Sequence, residues 1–86
     1  MEKSPFSKES RVFLRQLQAT RLEAGVTQQQ VAERLGVTQS SVSKVERGER
    51  RIDVVELRAF CEAIGISFPT FATRLHQAIS ANEKPS

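Results

Sequence analysis

The stretch TQQQVAERLGVTQSSVSKVERG, residues 27–48, contains two short helical patterns separated by one glycine. Thr27, with Gln30 three residues later, forms a T-x-x-Q capping box, and Gly36 stands where the helix that follows should end. Thr38 can cap a second helix, which the next glycine ends. The stretch therefore predicts two short helices joined by a tight turn.

The second of these helices has a polar side that contains almost no acid. At about 100° per residue, Val42 and Val45 form its buried side. The opposite arc holds Gln39, Ser40, Ser43, Lys44 and Arg47. Amides and hydroxyls both donate and accept hydrogen bonds, while Lys and Arg donate with positive charge, and these are the groups that recognise base edges. A merely solvated surface is the alternative interpretation, but Glu and Lys would then be more typical.

Three further helical patterns surround this pair. The first spans residues 7–24, and a capping pair of Asp53 and Glu56 begins a fourth helix that Gly65 ends. Ser67 begins a fifth helix, which carries an apolar stripe. No segment alternates apolar and polar residues as a strand would, so the predicted fold is all-α with five helices.

The length of 86 residues supports one domain. We expect an N-terminal extension at residues 1–6, a folded domain at residues 7–80 and a disordered tail at residues 81–86. No apolar run approaches the ~20 residues that span a bilayer, and residues 1–6 lack the apolar segment of a secretory signal. A cytoplasmic protein without membrane contact is therefore expected.

Metal, cofactor and catalytic sites are not indicated. One cysteine, Cys61, and one histidine, His76, leave no cluster at zinc-ligand spacing. Cys61 continues the apolar stripe of the fourth helix, which predicts a core residue rather than a functional thiol. His76 is expected at the surface or in an interface. Because no carboxylate pair, Ser/His/Asp set or phosphate-binding glycine loop occurs, the pattern argues against an enzyme and shows no small-molecule ligand.

Positive charge is concentrated in one short window. The chain carries 13 Lys and Arg against 10 Asp and Glu, a net charge of +3. Between residues 34 and 51 lie Arg34, Lys44, Arg47, Arg50 and Arg51, opposed only by Glu46 and Glu49. This window alone holds a surplus equal to that of the whole chain, so it is where an anionic partner is expected to bind.

Residues 17–66 resemble the helix-turn-helix domain of the phage repressor and Cro (XRE-like) family. Four positions carry the resemblance: a small residue at Ala32, a glycine at Gly36, and aliphatic residues at Val42 and Val45. Ala32 lets the two helices approach closely, Gly36 accommodates the turn, and the valines anchor the second helix. The resemblance implies a compact five-helix, lambda-repressor-like DNA-binding domain with its helix-turn-helix at helices two and three.

The resemblance also implies roles for individual residues. Base edges in the major groove would be contacted by Gln39, Ser40, Ser43 and Lys44. DNA phosphates would be contacted by Thr27, Gln28, Arg47, Arg50 and Arg51. Arg21 and Glu46 would form a structural ion pair that orients the recognition helix.

The implied function is a sequence-specific, double-stranded-DNA-binding transcriptional regulator, a repressor or autoregulator that binds a pseudopalindromic operator as a homodimer. On the fifth helix, Leu75 and Ile79 are expected at the dimer interface. Small regulators that control restriction-modification operons resemble this layout. An antitoxin-like module, or another protein-binding module on the same scaffold, is the alternative.

Overall fold

The structure is a computed structural model that describes residues 7–83 and contains five α-helices in that range. They are α1 (Lys8–Glu23), α2 (Gln28–Leu35), α3 (Gln39–Glu46), α4 (Val54–Ile64) and α5 (Phe68–Glu83). No strand occurs among these residues, so the all-α prediction is confirmed. The predicted extension, residues 1–6, and the last three residues of the predicted tail lie outside the described range. Because α5 continues to Glu83, the tail predicted from residue 81 begins inside a helix.

Helices α2 and α4 begin at the two predicted capping boxes. The Thr27 hydroxyl accepts from the Gln30 N–H at 3.0 Å, and the Gln30 Oε1 accepts from the Thr27 N–H at 2.9 Å. Asp53 and Glu56 repeat the arrangement at 2.7 Å and 2.9 Å. Each box satisfies two N–H groups that have no partner within the helix, and this fixes where the helix begins.

The turn between α2 and α3 depends on Gly36, whose φ is 72°. This left-handed conformation lets the Val37 N–H donate to the Ala32 carbonyl at 3.0 Å, so the end of α2 is closed within the turn. A side chain at this position would be strained, because L-residues disfavour the left-handed region. Thr38 then caps α3 by accepting from the Ser41 N–H at 3.1 Å.

The core lies where all five helices meet. Helix α2 packs against α3 and α4, α1 packs against α3 and α5, and α4 also packs against α5. The largest side chains that are almost completely buried are Leu17, Val31, Val42, Val45, Cys61 and Phe71. The prediction that Cys61 is a core residue is confirmed, and burial raises the pKa of its thiol to about 11. In contrast to the buried Cys61, the side chain of His76 is exposed.

Candidate nucleic-acid interface

Helix α3 is anchored on one side and open on the other. Val42 and Val45 are 0% and 1% exposed, and they fix the rotation of the helix about its axis. The predicted polar arc consequently lies at the surface. Gln39, Ser40, Lys44 and Arg47 are exposed, and Ser43 is half-buried. A rigid helix presenting donors and acceptors without an exposed carboxylate suits the major groove of DNA.

At the start of α3, Gln39 joins a hydrogen-bonded network that reaches back to α1. The Gln39 Nε2 donates to the Gln28 Oε1 at 3.3 Å, and the Gln28 Nε2 donates to the Glu46 Oε1 at 2.9 Å. Glu46 in turn accepts from the Arg21 Nε at 2.7 Å and from its Nη2 at 3.1 Å. Residues from three helices are thus tied together beneath the open surface.

The Arg21–Glu46 pair is the buried part of this network. Its side chains are only 8% and 4% exposed, and the Arg21 Nη1 also donates to the Val26 carbonyl at 3.0 Å. Bidentate geometry and the additional bond offset the cost of removing both charges from water. The pair joins the end of α1 to the end of α3, the arrangement that the resemblance implied.

The start of α2 lies beside the start of α3. The Thr27 hydroxyl accepts from the Gln30 N–H, and the Thr27 N–H donates to the Gln30 Oε1, so the group that Thr27 offers to a phosphate is its own O–H hydrogen. The side-chain oxygen of Gln28 accepts a hydrogen bond from Gln39, and its side-chain nitrogen donates one to Glu46. The N–H groups of a first helical turn have no carbonyl of their own helix to bind and carry partial positive charge, which favours a phosphate there.

At the end of α3 and just after it, two of the arginines predicted to contact phosphate, Arg47 and Arg50, form only exposed ion pairs. Arg47 forms an ion pair with Glu49 at 2.9 Å and donates to Ser43, and the hydrogen bond and charge of Arg47 lower the pKa of Glu49. Arg50 pairs with Glu56 at 2.9 Å. Such exposed pairs contribute ~0–1 kcal/mol to stability, so these guanidinium groups can exchange their partners for phosphate at little cost.

The basic window between residues 34 and 51 contains two further arginines, Arg34 and Arg51, whose surroundings differ. Arg51 is exposed and lies two residues after Glu49 in the chain. The Arg34 Nη1 donates to the carbonyl of Ala63, in the last turn of α4, at 2.6 Å. Arg34 thus stabilises the end of a helix, and the window's charge at the candidate interface comes from the residues after it.

The two residues of α5 predicted to lie at the dimer interface differ in what they contact within their own chain. Leu75 is half-buried and packs against the core of its own chain, while Ile79 is half-buried without belonging to that core cluster. Among residues 7–81, the exposed large apolar side chains lie elsewhere. They are Leu22, Val37, Val54 and Val55.

Residues 7–83 contain neither a cluster of metal-binding side chains nor a membrane-spanning helix. No three His, Cys, Asp or Glu side chains lie together as the ligands of a metal ion would. No helix in that range is both long and apolar enough to cross a membrane.

Comparison with known proteins places this geometry in a family. The helix-turn-helix family model matches residues 17–71, more than half of the chain. The uncharacterized HTH-type transcriptional regulator y4dJ of Sinorhizobium fredii is 38% identical over 53 residues, which are 62% of this chain and 69% of that protein. An XRE-family-like protein from Pseudomonas syringae pv. tomato has 40% identity and a TM-score of 0.76, covering 80% of this chain and 84% of that one.

A more distant structure shares the fold. The restriction-modification controller protein C.Esp1396I, solved as a tetramer in complex with its natural 35 base-pair operator, is 23% identical, with a TM-score of 0.77 over 86% of this chain and 97% of that one. At this identity the likeness concerns the fold alone. The family match and the regulator relative show that the chain belongs to the phage repressor and Cro-type (XRE-like) helix-turn-helix family of DNA-binding transcriptional regulators, in agreement with the exposed polar face of α3.

Proposed function

We propose that the protein is a cytoplasmic, non-enzymatic regulator that binds a pseudopalindromic operator as a homodimer, with α3 in the major groove, and represses or autoregulates transcription. The observation that carries this proposal is the exposed Gln39 amide at the start of α3, held by Gln28 and backed by two buried valines. A side chain fixed in this way on a rigid helix can recognise a base with little loss of conformational entropy.

Each polar residue of α3 suits a particular base edge. The amide of Gln39 matches adenine, which accepts at N7 and donates at N6, whereas Lys44 can donate to both O6 and N7 of guanine. Ser40 and Ser43 can donate or accept and complete the set. Their exposed or half-buried positions along one side of α3 support direct contact with bases.

Phosphate contacts would come from both ends of this surface. Thr27 and Gln28 begin α2, where the helix dipole favours an anion. On the other side, Arg47, Arg50 and Arg51 would bind the backbone and release condensed counterions. These contacts position the protein and provide affinity, while the choice of sequence is left to α3.

A second copy is part of the proposal, because one recognition helix contacts only half of a symmetric operator. Two copies would place their helices about one turn of DNA apart, ~34 Å. We place the interface on α5, with Ile79 as the principal contact since Leu75 already packs partly on its own core. The structurally similar controller protein C.Esp1396I was solved as a tetramer in complex with its operator, and this supports the proposal that several copies of the present chain bind one operator.

Comparing Gln39→Ala with the control Gln29→Ala tests this function. Both wild-type residues are exposed amides, but Gln29 lies on α2 and bonds only to Glu33, at 3.4 Å. Gln39→Ala should lose about 1–3 kcal/mol of discrimination at one base pair per half-site while retaining nonspecific affinity. Titration of duplexes that differ at single positions measures the effect. Equal weakening on every sequence, or equal losses in both variants, would refute Gln39 as a base-contacting residue.

A further inference from the structure

We propose that a groove between the α2–α3 turn, α3 and α4 binds a small carboxylic acid with an apolar body, and that this ligand competes with operator DNA for the guanidinium of Arg50. The groove has a volume of about 240 Å³. The ligand site does not depend on the base contacts of α3, whereas the competition rests on the proposed role of Arg50 in binding phosphate.

The walls of the groove are mostly apolar. They include the side chains of Leu35, Val37, Val42, Val45, Ala59 and Phe60. Val42 and Val45 also anchor α3, so a ligand in the groove touches the recognition helix on its buried side. Val37 is 46% exposed, so the apolar surface continues to solvent, where a ligand can enter. The sequence alone did not indicate this site, because its residues meet only when α2, α3 and α4 pack together.

Arg50 and Glu56 supply the charges that line the groove. The Arg50 Nη2 lies 2.9 Å from the Glu56 Oε2, and the two side chains are 46% and 40% exposed. The Arg50 N–H donates to the Lys44 carbonyl at 3.3 Å, which ties the residue to the end of α3. A guanidinium binds a carboxylate through two parallel N–H groups. Because an exposed ion pair contributes little to stability, a ligand carboxylate can replace that of Glu56.

Glu56 keeps its place when Arg50 is released. Its Oε1 accepts from the Asp53 N–H at 2.9 Å, within the capping box of α4. This backbone hydrogen bond, and then the one from Arg50, lower the pKa of Glu56. The carboxylate therefore stays charged at neutral pH. It repels a second anionic group in the groove, which restricts the ligand to one carboxylate.

The volume of the groove sets the size of the apolar body. A cavity of ~150 Å³ holds a benzene molecule, so a groove of about 240 Å³ has room for such a ring together with a carboxylate. Benzoate matches the groove in size, in its apolar ring and in its single negative charge. Acetate has the charge without the ring, and benzyl alcohol has the ring without the charge.

Bound ligand and bound DNA oppose each other at Arg50. A guanidinium that pairs with a ligand carboxylate is withdrawn from the phosphate it would otherwise bind, and the added negative charge repels the DNA backbone. Because such coupling is reciprocal, DNA weakens ligand binding by the same factor. The protein thus releases its operator when the acid accumulates, which is a means of control within a single small domain.

Titration of the ¹⁵N-labelled full chain with benzoate, followed by NMR, tests the site without DNA. Amide signals of the groove residues should shift and saturate at a roughly millimolar concentration. Acetate and benzyl alcohol should bind about tenfold more weakly or not at all. Arg50→Gln should lose about tenfold in benzoate affinity, while the control Arg58→Gln, which removes an equally exposed arginine paired with Glu62, should bind as the wild type does. Absence of saturation, or wild-type affinity in Arg50→Gln, would overturn the proposal.

Operator affinity with and without benzoate, at constant ionic strength, tests the competition. The probe is a duplex that the wild-type protein selects from a random library. Saturating benzoate should weaken its binding about fivefold or more in the wild type and in Arg58→Gln, but have little effect in Arg50→Gln. Unchanged affinity in the benzoate-saturated wild type would overturn the competition. If no duplex is bound even without benzoate, the proposed function fails instead, and the NMR titration still decides whether the ligand site exists.

Discussion

Replacing Glu46 by alanine should be among the most damaging single changes at this surface, through folding as much as through DNA contact. The substitution leaves the Arg21 guanidinium in a site where its side chain is 8% exposed. Of the hydrogen bonds that this guanidinium forms within residues 7–83, only the one from Nη1 to the Val26 carbonyl, at 3.0 Å, survives. The variant therefore retains a buried positive charge without its counter-ion.

The expected size follows from this burial. Removing one partner of a buried ion pair costs about 3–5 kcal/mol, and the remaining bond to Val26 places this case near 3 kcal/mol. A domain of this size has a total stability of roughly 4–13 kcal/mol, so a large fraction is lost. At about 4–8 °C per kcal/mol, the melting temperature should fall by at least roughly 12 °C.

Thermal and urea unfolding followed by circular dichroism measure the loss. The control is the double variant Arg21→Met with Glu46→Leu, which removes both charges and should recover most of the stability, because well-packed apolar side chains can replace a buried pair. A loss below about 1 kcal/mol in Glu46→Ala would contradict this expectation, because it would show that the Arg21–Glu46 pair contributes no more than an ion pair at the surface.

Other parts of the structure give further predictions. Arg51→Ala should weaken binding to all duplexes alike and reduce the slope of log affinity against log salt by about one; an unchanged slope would exclude a phosphate contact. Gly36→Ala should cost about 1–2 kcal/mol from its φ of 72° alone, since an added Cβ meets no atom within 4 Å; a neutral result in urea unfolding would contradict this. Burial raises the pKa of Cys61 from 9.0 to about 11, so the thiol's contribution is complete below pH 9 and is lost as pH rises toward 11. The free energy of unfolding should therefore fall more steeply over that range than in Cys61→Ala, and parallel curves would disprove the shift.

The helices could be predicted because their signals are local. A threonine or aspartate followed three residues later by Gln or Glu satisfies the first N–H groups of a helix wherever it occurs, and both predicted boxes are present. The left-handed Gly36 and Gly65 likewise reflect a preference of the backbone itself. Such features depend on a few neighbouring residues, so the sequence alone was sufficient.

The contacts within the site were harder to predict because they join distant parts of the chain. The proximity of Arg21 and Glu46 came from the family resemblance, and the bonds of Gln28 to both Glu46 and Gln39 were missed because they depend on how α2 meets α3. Counting charges likewise placed Arg34 with the DNA-facing residues, although its guanidinium binds the end of α4. Charge totals do not show where a long side chain ends.

Selection of binding sites from a random duplex library by the purified full chain, with the molar mass in solution measured on the same sample, tests the proposed operator binding most directly. If the protein binds its operator as a homodimer, the selected sequences should contain an inverted repeat whose half-sites lie about one DNA turn apart, ~34 Å, and the molar mass should be that of a dimer. A folded sample that enriches no sequence would contradict it, and would favour the antitoxin-like or other protein-binding module instead.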